Sequence, residues 1–443
     1  MKEKEVIEFP KVHSHGAGID IGSRDIFVSI DGKESISFKT FTEDYKKCCK
    51  YLKEKGIESV AMEATGVYWM SLYEMLESYG LHVCLVHPQE VQQVKGRKRD
   101  DTDACWIQKL YSAGLLRESI VAEGKLKELR ILVRERSDLI SMGSTYVNKM
   151  QKYLELMNIK LRNVIAQIHG ASGLRVIEAI LSGERDVDQL LHLCHNSIRT
   201  KKKEDVKKAL CGNYNERYLS LLKENLRLWK EHQISVRNIE KQIEDLLDEM
   251  NAQKDKGEKP LVKSLSCPAR HHNPEIKDLH MKLVQQFNGV NLSTIAGIND
   301  STALRLLGEI GADMSRFPSV KHFVSWLGLS PKSKQSGKMK RRVHSGKGNI
   351  AGEIFRQSAQ ALSTSKHNAI GAFIRRLCGK KGAHIAIKAG ARKIAIAFYN
   401  ALTYGMDYVE MGAAKYTQQN MQREIKTMQK LAQKYNYQLI ESV

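Results

Sequence analysis

The sequence has no apolar run long enough to cross a bilayer, and its Lys/Glu-rich start, Met1-Lys2-Glu3-Lys4, leads into no hydrophobic signal region. It also has no Cys-x-x-Cys pair. The eight cysteines (Cys48, Cys49, Cys84, Cys105, Cys194, Cys211, Cys267, Cys378) are scattered, so they read as reduced, mostly structural thiols. His192, Cys194 and His195, and likewise Cys267 with His271 and His272, lack a second ligand pair and read as structural rather than metal-binding. Acid is the scarcer charge: 50 Asp and Glu stand against 71 Lys and Arg, a formal net charge of +21. The expectation is a soluble, intracellular protein with a polyanionic partner, nucleic acid before any other, and no membrane.

With 443 residues, 42% of them hydrophobic, the chain has room for two or three cored domains. Near its start, Gly18-Ile19-Asp20-Ile21-Gly22 puts a carboxylate inside an apolar strand pattern. Ile19 and Ile21, then Ile26, Val28 and Ile30, alternate as a hairpin would. On a strand Asp20 shares its face with Gly18 and Gly22, which leaves open space around the acid. A third strand is expected at 35–39, a helix at 42–55 capped by Thr42, a strand at 57–63, a helix at 68–78 and a strand at 82–86. In the strand ending at Glu63, Val60 and Met62 face one way while Ala61 and Glu63 face the other. This alternation marks an α/β layered domain, and carboxylates at the ends of adjacent strands are where such domains place their sites.

A further helix opens with Asp100-Asp101-Thr102-Asp103. Stepping back from Ile107 and Leu110 by three and four residues puts Asp103 and Asp100 on its inward stripe, whereas Asp101 fits an N-terminal dipole role. Singly, each acid also reads as a solvated strand end or a helix cap. Together, Asp20, Glu63, Asp100 and Asp103 would repel one another unless neutralised by hard divalent cations, magnesium or manganese, which suits phosphoryl transfer.

Long helices are expected over 125–157 and 218–250. In the second, Leu222, Trp229, Val236, Ile243 and Met250 recur every seven residues, a supercoiling period that implies a partner helix. The lysine-rich stretch 197–208 reads as a solvated loop or a basic nucleic-acid contact. Residues 293–311 read as a glycine turn into an apolar helix, like a helix-hairpin-helix whose free amides hold a phosphate. Beyond Ser330-Pro331 lies the densest positive cluster, Lys332, Lys334, Lys338, Lys340, Arg341, Arg342 and Lys347, laid on glycine and serine that allow close approach to a sugar-phosphate backbone. Arg356, Lys388, Arg392 and Lys393 would extend it.

Gly18-Ile19-Asp20, Met62-Glu63-Ala64-Thr65-Gly66, the Asp100/Asp103 pair, Ala296-Gly297-Ile298, and Gly328-Leu329-Ser330-Pro331 through Ser336-Gly337 stand in the order seen in DEDD-type insertion-sequence transposases. The chain resembles these bridge-RNA-guided recombinases over about residues 16–165 and 290–410. The resemblance implies a RuvC-like (RNase H-type) α/β domain over 1–120 and a long α-helical coiled-coil arm with a basic insertion over 121–290. A mainly α C-terminal transposase domain would follow over 291–410, with a helix-hairpin-helix-like start and a catalytic serine loop, then a helical tail over 411–443. It further implies metal ligation by Asp20, Glu63, Asp100 and Asp103, and a serine nucleophile that links transiently to DNA. By motif position that serine is Ser336, with Ser330, Ser333 and Ser345 as competitors; Asp101, between the paired acids, leaves a one-residue alternative register there. The implied partners are element-end and target DNA, a structured guide RNA and further copies of the chain as a dimer or tetramer, in a prokaryotic, nucleoid-associated setting. Two alternatives remain at this point: a junction nuclease using metal-activated water, or a non-catalytic nucleic-acid-binding protein.

Overall fold

A computed structural model describes residues 11–88, 91, 100–122, 124–253, 273–331, 333–336, 339–342, 348–405 and 411–438, with backbone alone at 100–102, 333–336 and 339–342. The chain divides into two units, Met1–Val121 and Ala122–Val443.

In the first unit, β1 (Gly16–Ile21), β2 (Asp25–Ser29) and β3 (Ile36–Lys39) form an antiparallel meander, because their turns are short. Helix α1 (Thr42–Glu54) then returns the chain to the other side of β1, where β4 (Ser59–Glu63) runs parallel to it. Helix α2 (Trp69–Ser78) does the same for β5 (His82–Val86), giving the sheet order β3-β2-β1-β4-β5. The cap of α1 differs from expectation: extended Phe41 precedes the helix without a side-chain cap bond, and Thr42 is already helical. Alternation sorts the strands' residues into two cores. Ile19, Val60, Met62 and Leu85 pack with Cys48, Cys49 and Leu52 of α1 and with Leu72 and Leu76 of α2. On the opposite face Ala61, Cys84 and Val86 meet Ile107, Leu110 and Tyr111 of α3 (Asp100–Ser112). The result is a three-layer α/β/α domain, each large buried side chain contributing about 1.5–3 kcal/mol. Burial pushes the Cys48 thiol up to about 12 and the Cys49 thiol up to about 11, which suits packed, unreactive sulfurs.

The second unit is mostly helical. Helices α4 (Lys125–Leu156) and α10 (Glu216–Ala252) lie antiparallel, as the pairs Lys125 with Glu249 and Arg136 with Glu240 require. Leu222, Trp229, Val236 and Ile243 of the seven-residue pattern are buried. Between these helices, α5 (Leu161–Val164), α6 (Ala171–Leu181), α7 (Val187–His192), α8 (Asn196–Lys201) and α9 (Lys203–Ala209) build a small helical cap with its own core. The lysine-rich stretch 197–208 is therefore two short helices rather than a loop, because Val206, Ala209 and Leu210 recur at helical spacing and are buried. Cys194 is buried there and His195 caps α8 through its ring, both structural roles. Cys267, His271 and His272 lie outside the described residues.

Arg136 and Glu240 form a buried pair, Nε to Oε1 at 2.7 Å with side chains 6% and 4% exposed, and the Glu275 amide donates to the other carboxylate oxygen. Truncating one partner strands the other charge in the interior. Glu240→Ala should therefore cost about 3–5 kcal/mol in denaturant unfolding; a loss below about 1 kcal/mol would mean that the pair is not an anchor between α4 and α10.

Farther on come α11 (Leu279–Gln286), a 3-10 turn (Leu292–Thr294), α12 (Asp300–Ile310) and α13 (Val320–Trp326). The two-stranded ribbon of β6 (Ser333–Ser336) and β7 (Met339–Arg342) follows, then α14 (Ile350–Ser363), α15 (Ala369–Lys381), α16 (Ala383–Tyr404) and α17 (Ala413–Lys434). Phe323 centres this core, its ring 5.0 Å from Phe317, 6.1 Å from Phe398 and 6.4 Å from Phe355. No helix among the described residues is long and apolar enough to cross a membrane.

Candidate active site

The site in the first unit is built on glycine. A Cβ on Gly18 would lie 2.3 Å from the Gln108 backbone nitrogen and 2.5 Å from the Ala104 carbonyl oxygen, and one on Gly16 would lie 2.8 Å from the Tyr111 ring. Only bare backbone lets α3 lie this close to β1. From Gly16 to Gly18 along the strand, the helix contacts step back from Tyr111 to Ala104. The next residue on that strand face is Asp20, and the next turn of the helix is its N-terminal one, which carries Asp103.

Glu63 joins by register. The parallel pairing runs from Gly16 with Ser59 to Ile19 with Met62, so Asp20 and Glu63 each follow its last pair, at the C-terminal ends of β1 and β4. Both are partly exposed, and Thr65 Oγ1 donates to Glu63 Oε1 at 3.4 Å. The positive end of the α3 dipole favours negative charge at this edge of the sheet.

Asp103 sits one turn before buried Ile107, on the stripe read from the sequence. Asp100 is the first residue of α3, and its side chain, like that of Asp101, lies outside the described residues. Among the described residues no three carboxylate, imidazole or thiolate groups gather around a possible ion position, so Asp103 does not complete a three-ligand set with Asp20 and Glu63. The chemistry of the donors nevertheless fits a divalent cation, since carboxylate oxygens are the hard ligands that magnesium and manganese take.

Gln108 was not singled out by sequence reasoning, yet it fastens the helix that carries Asp103. Its buried Nε2 donates to the Gly16 carbonyl at 3.1 Å and to Ser112 Oγ at 2.8 Å. A glutamine at i+4 from Ala104, on the helix face that carries Ile107 and Tyr111, was the available signal.

In the second unit, Ser336 ends β6 rather than lying in an irregular loop, and pairs in register with Met339; Lys334 pairs with Arg341 and Gln335 with Lys340. The side chains of Ser336, Ser333, Lys334, Lys340, Arg341 and Arg342 lie outside the described residues, as do Lys332, Lys338, Ser345 and Lys347 entirely. The root of the ribbon is described. Gly328, at φ +67°, ends α13, and a Cβ there would come within 3.0 Å of Gly348 Cα. Asn349 caps α14 by accepting from the Gly352 amide at 2.8 Å and donates to the Trp326 carbonyl at 3.2 Å. The two glycines thus bring the ends of the basic segment together. Beside Gly348, Arg356 is ion-paired with Glu353; of the other expected cations, Lys393 lies 4.8 Å from the centre of the Phe373 ring.

The phosphate role expected of the turn before α12 meets a physical objection. Asn299 Oδ1 already accepts from the Thr302 amide at 2.8 Å, and the Asp300 carboxylate in the first turn pairs with His280 Nδ1 at 2.8 Å. An anion would meet a capped end bearing its own negative charge. Gly297, at φ +90°, packs against Leu362 and Ile394, so it serves a buried turn.

Residues 17–159 match the family model described as the DEDD transposase of IS110, and residues 290–373 match the one described as transposase, IS116/IS110/IS902 family. The first span contains Asp20, Glu63, Asp100 and Asp103, the second Ser336, and together they cover just over half of the chain. No curated protein matches it. The chain carries, in order, the N-terminal and C-terminal transposase domains of the IS110 family.

Proposed function

We propose that this transposase excises and inserts its own element by cutting and rejoining DNA with two kinds of group, the carboxylates of the first unit and the Ser336 hydroxyl of the second. The observation that supports the reading is the parallel β1–β4 register, which ends one residue before both Asp20 and Glu63, together with the close approach of α3 to Gly18. Asp20, Glu63, Asp100 and Asp103 would hold the magnesium or manganese, which when bound stabilises charge developing on phosphate oxygens. The mixed five-stranded sheet, flanked by helices on both faces, supports a RuvC-like assignment for this domain.

The serine step balances without a co-reactant. The Ser336 Oγ–P bond forms as one bridging P–O bond of DNA breaks, and the serine proton ends on the departing oxygen. Attack by a DNA hydroxyl reverses it and releases the serine. The cations from Lys332 to Lys347 would hold the flanking phosphates, sequence-independently.

The strongly basic chain and the family resemblance support two finer parts of the proposal, a structured guide RNA that selects the DNA and assembly as a dimer or tetramer. The antiparallel pair α4/α10 would be the coiled-coil arm of that assembly. For strand cleavage, Ser336→Ala should abolish the covalent protein-DNA species while leaving DNA affinity within about twofold. Covalent product from the Ser336→Ala protein would shift the nucleophile to Ser330, Ser333 or Ser345, and cleavage with no covalent species in either protein would favour metal-activated water.

A further inference from the structure

Helix α17 (Ala413–Lys434) lies beyond both matched spans, the second of which ends at residue 373. Its charge is one-sided. Lys415, Arg423, Lys426, Lys430 and Lys434 follow one another at steps of eight, three, four and four residues. With 3.6 residues per turn, these steps keep all five cations within an arc of roughly 100°. The only acid in the helix, Glu424, falls off that arc. It accepts from Lys380 Nζ of α15 at 3.5 Å and from Asn420 Nδ2 at 3.0 Å.

The start of the helix is fixed to the body of the unit. Tyr416 stands edge-on to Phe373, with ring centres 6.4 Å apart, and its hydroxyl accepts from Arg376 Nε at 3.1 Å. From there the helix runs with no buried residue. Among the described residues none of the five cations has a carboxylate partner, and Lys434 only overlies the neighbouring Tyr435 ring at 5.3 Å. Cations four residues apart on a helix repel each other at intervals of about 6 Å along the axis. A row of this kind is relieved by a linear polyanion with closely spaced charges, which is the form of a phosphate backbone.

We propose that the cationic face of α17 docks on the phosphate backbone of duplex DNA, independently of sequence, as a surface separate from the ribbon 333–342. The choice of DNA as the polyanion rests on the transposase reading; the stripe itself does not. The surface would add affinity and hold the chain on DNA while the site is engaged, without reading bases.

The test uses the full-length protein and the variant Arg423→Gln/Lys426→Gln/Lys430→Gln/Lys434→Gln, since glutamine keeps the helix propensity while removing charge. Binding to a labelled, mixed-sequence DNA duplex is followed by fluorescence anisotropy across a salt series. The variant should bind roughly tenfold or more weakly at low salt, and its slope of log affinity against log salt should be shallower by about 2 to 4. Met421→Gln/Ile425→Gln, on the other side of the helix, should leave both quantities unchanged, and circular dichroism should match for all three proteins. An unchanged slope in the quadruple variant would overturn the proposal while leaving the transposase reading intact. A slope change seen with an RNA duplex but not with DNA would overturn it too, and failure of the parent to bind DNA at all would remove both readings.

Discussion

Asp20→Asn is expected to abolish strand cleavage, lowering it by on the order of 10³-fold or more, and to leave DNA binding nearly unchanged. The substitution keeps size and shape and removes one negative charge from the proposed metal site, to which Glu63 would contribute another. An amide oxygen is a poorer ligand for a hard cation than a carboxylate, so charge stabilisation at the phosphate falls. The proposed DNA-binding cations lie in other parts of the sequence, so affinity for DNA should not depend on this acid. Glu63→Gln should behave alike, because in the β1–β4 pairing Glu63 follows the last paired residue of β4 as Asp20 follows that of β1. Cleavage rates with saturating element-end DNA and magnesium, with a binding isotherm beside them, make the comparison. Cleavage within about tenfold of the parent would mean that the pair is structural.

The second large effect comes from a residue with no chemistry of its own. Gly18→Ala would place a methyl 2.3 Å from the Gln108 nitrogen and 2.8 Å from its Cα, both backbone atoms that cannot rotate away. The strand is central and buried, so α3 must lift from the sheet. Overpacking of this kind typically costs about 1–3 kcal/mol, and the same shift moves Asp103 relative to Asp20. The expected result is a lower unfolding midpoint together with cleavage reduced on the order of 10²-fold, more than the population of unfolded protein explains. Gly22→Ala at the strand's far end serves as the comparison, since its Cβ would press only on the Asp25 carbonyl, at 2.9 Å. Equal activity in Gly18→Ala and parent would show that the close approach of α3 to β1 is not what sets the acids.

The strands were legible because a period of two is hard to hide: Val60 and Met62 pack inward against α1 and α2, and Ala61 packs toward α3. What alternation does not encode is which strands pair and in what direction. The parallel pairing of β1 with β4 therefore needed the structure. Gln108 was missed because its role depends on the Gly16 carbonyl, 92 residues away in sequence. The two short helices in the lysine-rich segment 197–208 are not legible because its polar residues outnumber the apolar ones that fold it, chiefly Val206, Ala209 and Leu210. The ribbon of β6 and β7 has the opposite difficulty. Ser-Lys-Gln-Ser and Met-Lys-Arg-Arg show no apolar alternation, since a two-stranded ribbon has no core face to mark. In the helix-hairpin-helix-like segment the glycine was recognised but not the competition at its end, where Asn299 and Asp300 take the place an anion would need.

The most direct measurement is a covalent trapping experiment. The purified protein is mixed with labelled element-end DNA, the non-coding RNA of the flanking element and magnesium, and the products are resolved on a denaturing gel. The account predicts a covalent protein-DNA band in the parent that disappears in Ser336→Ala and also in Asp20→Asn, which would assign nucleophile and carboxylates to the same strand-transfer step. Cleavage that gives no such band, persists in Ser336→Ala and is lost in Asp20→Asn would contradict it, and would mean that activated water, not serine, attacks the DNA.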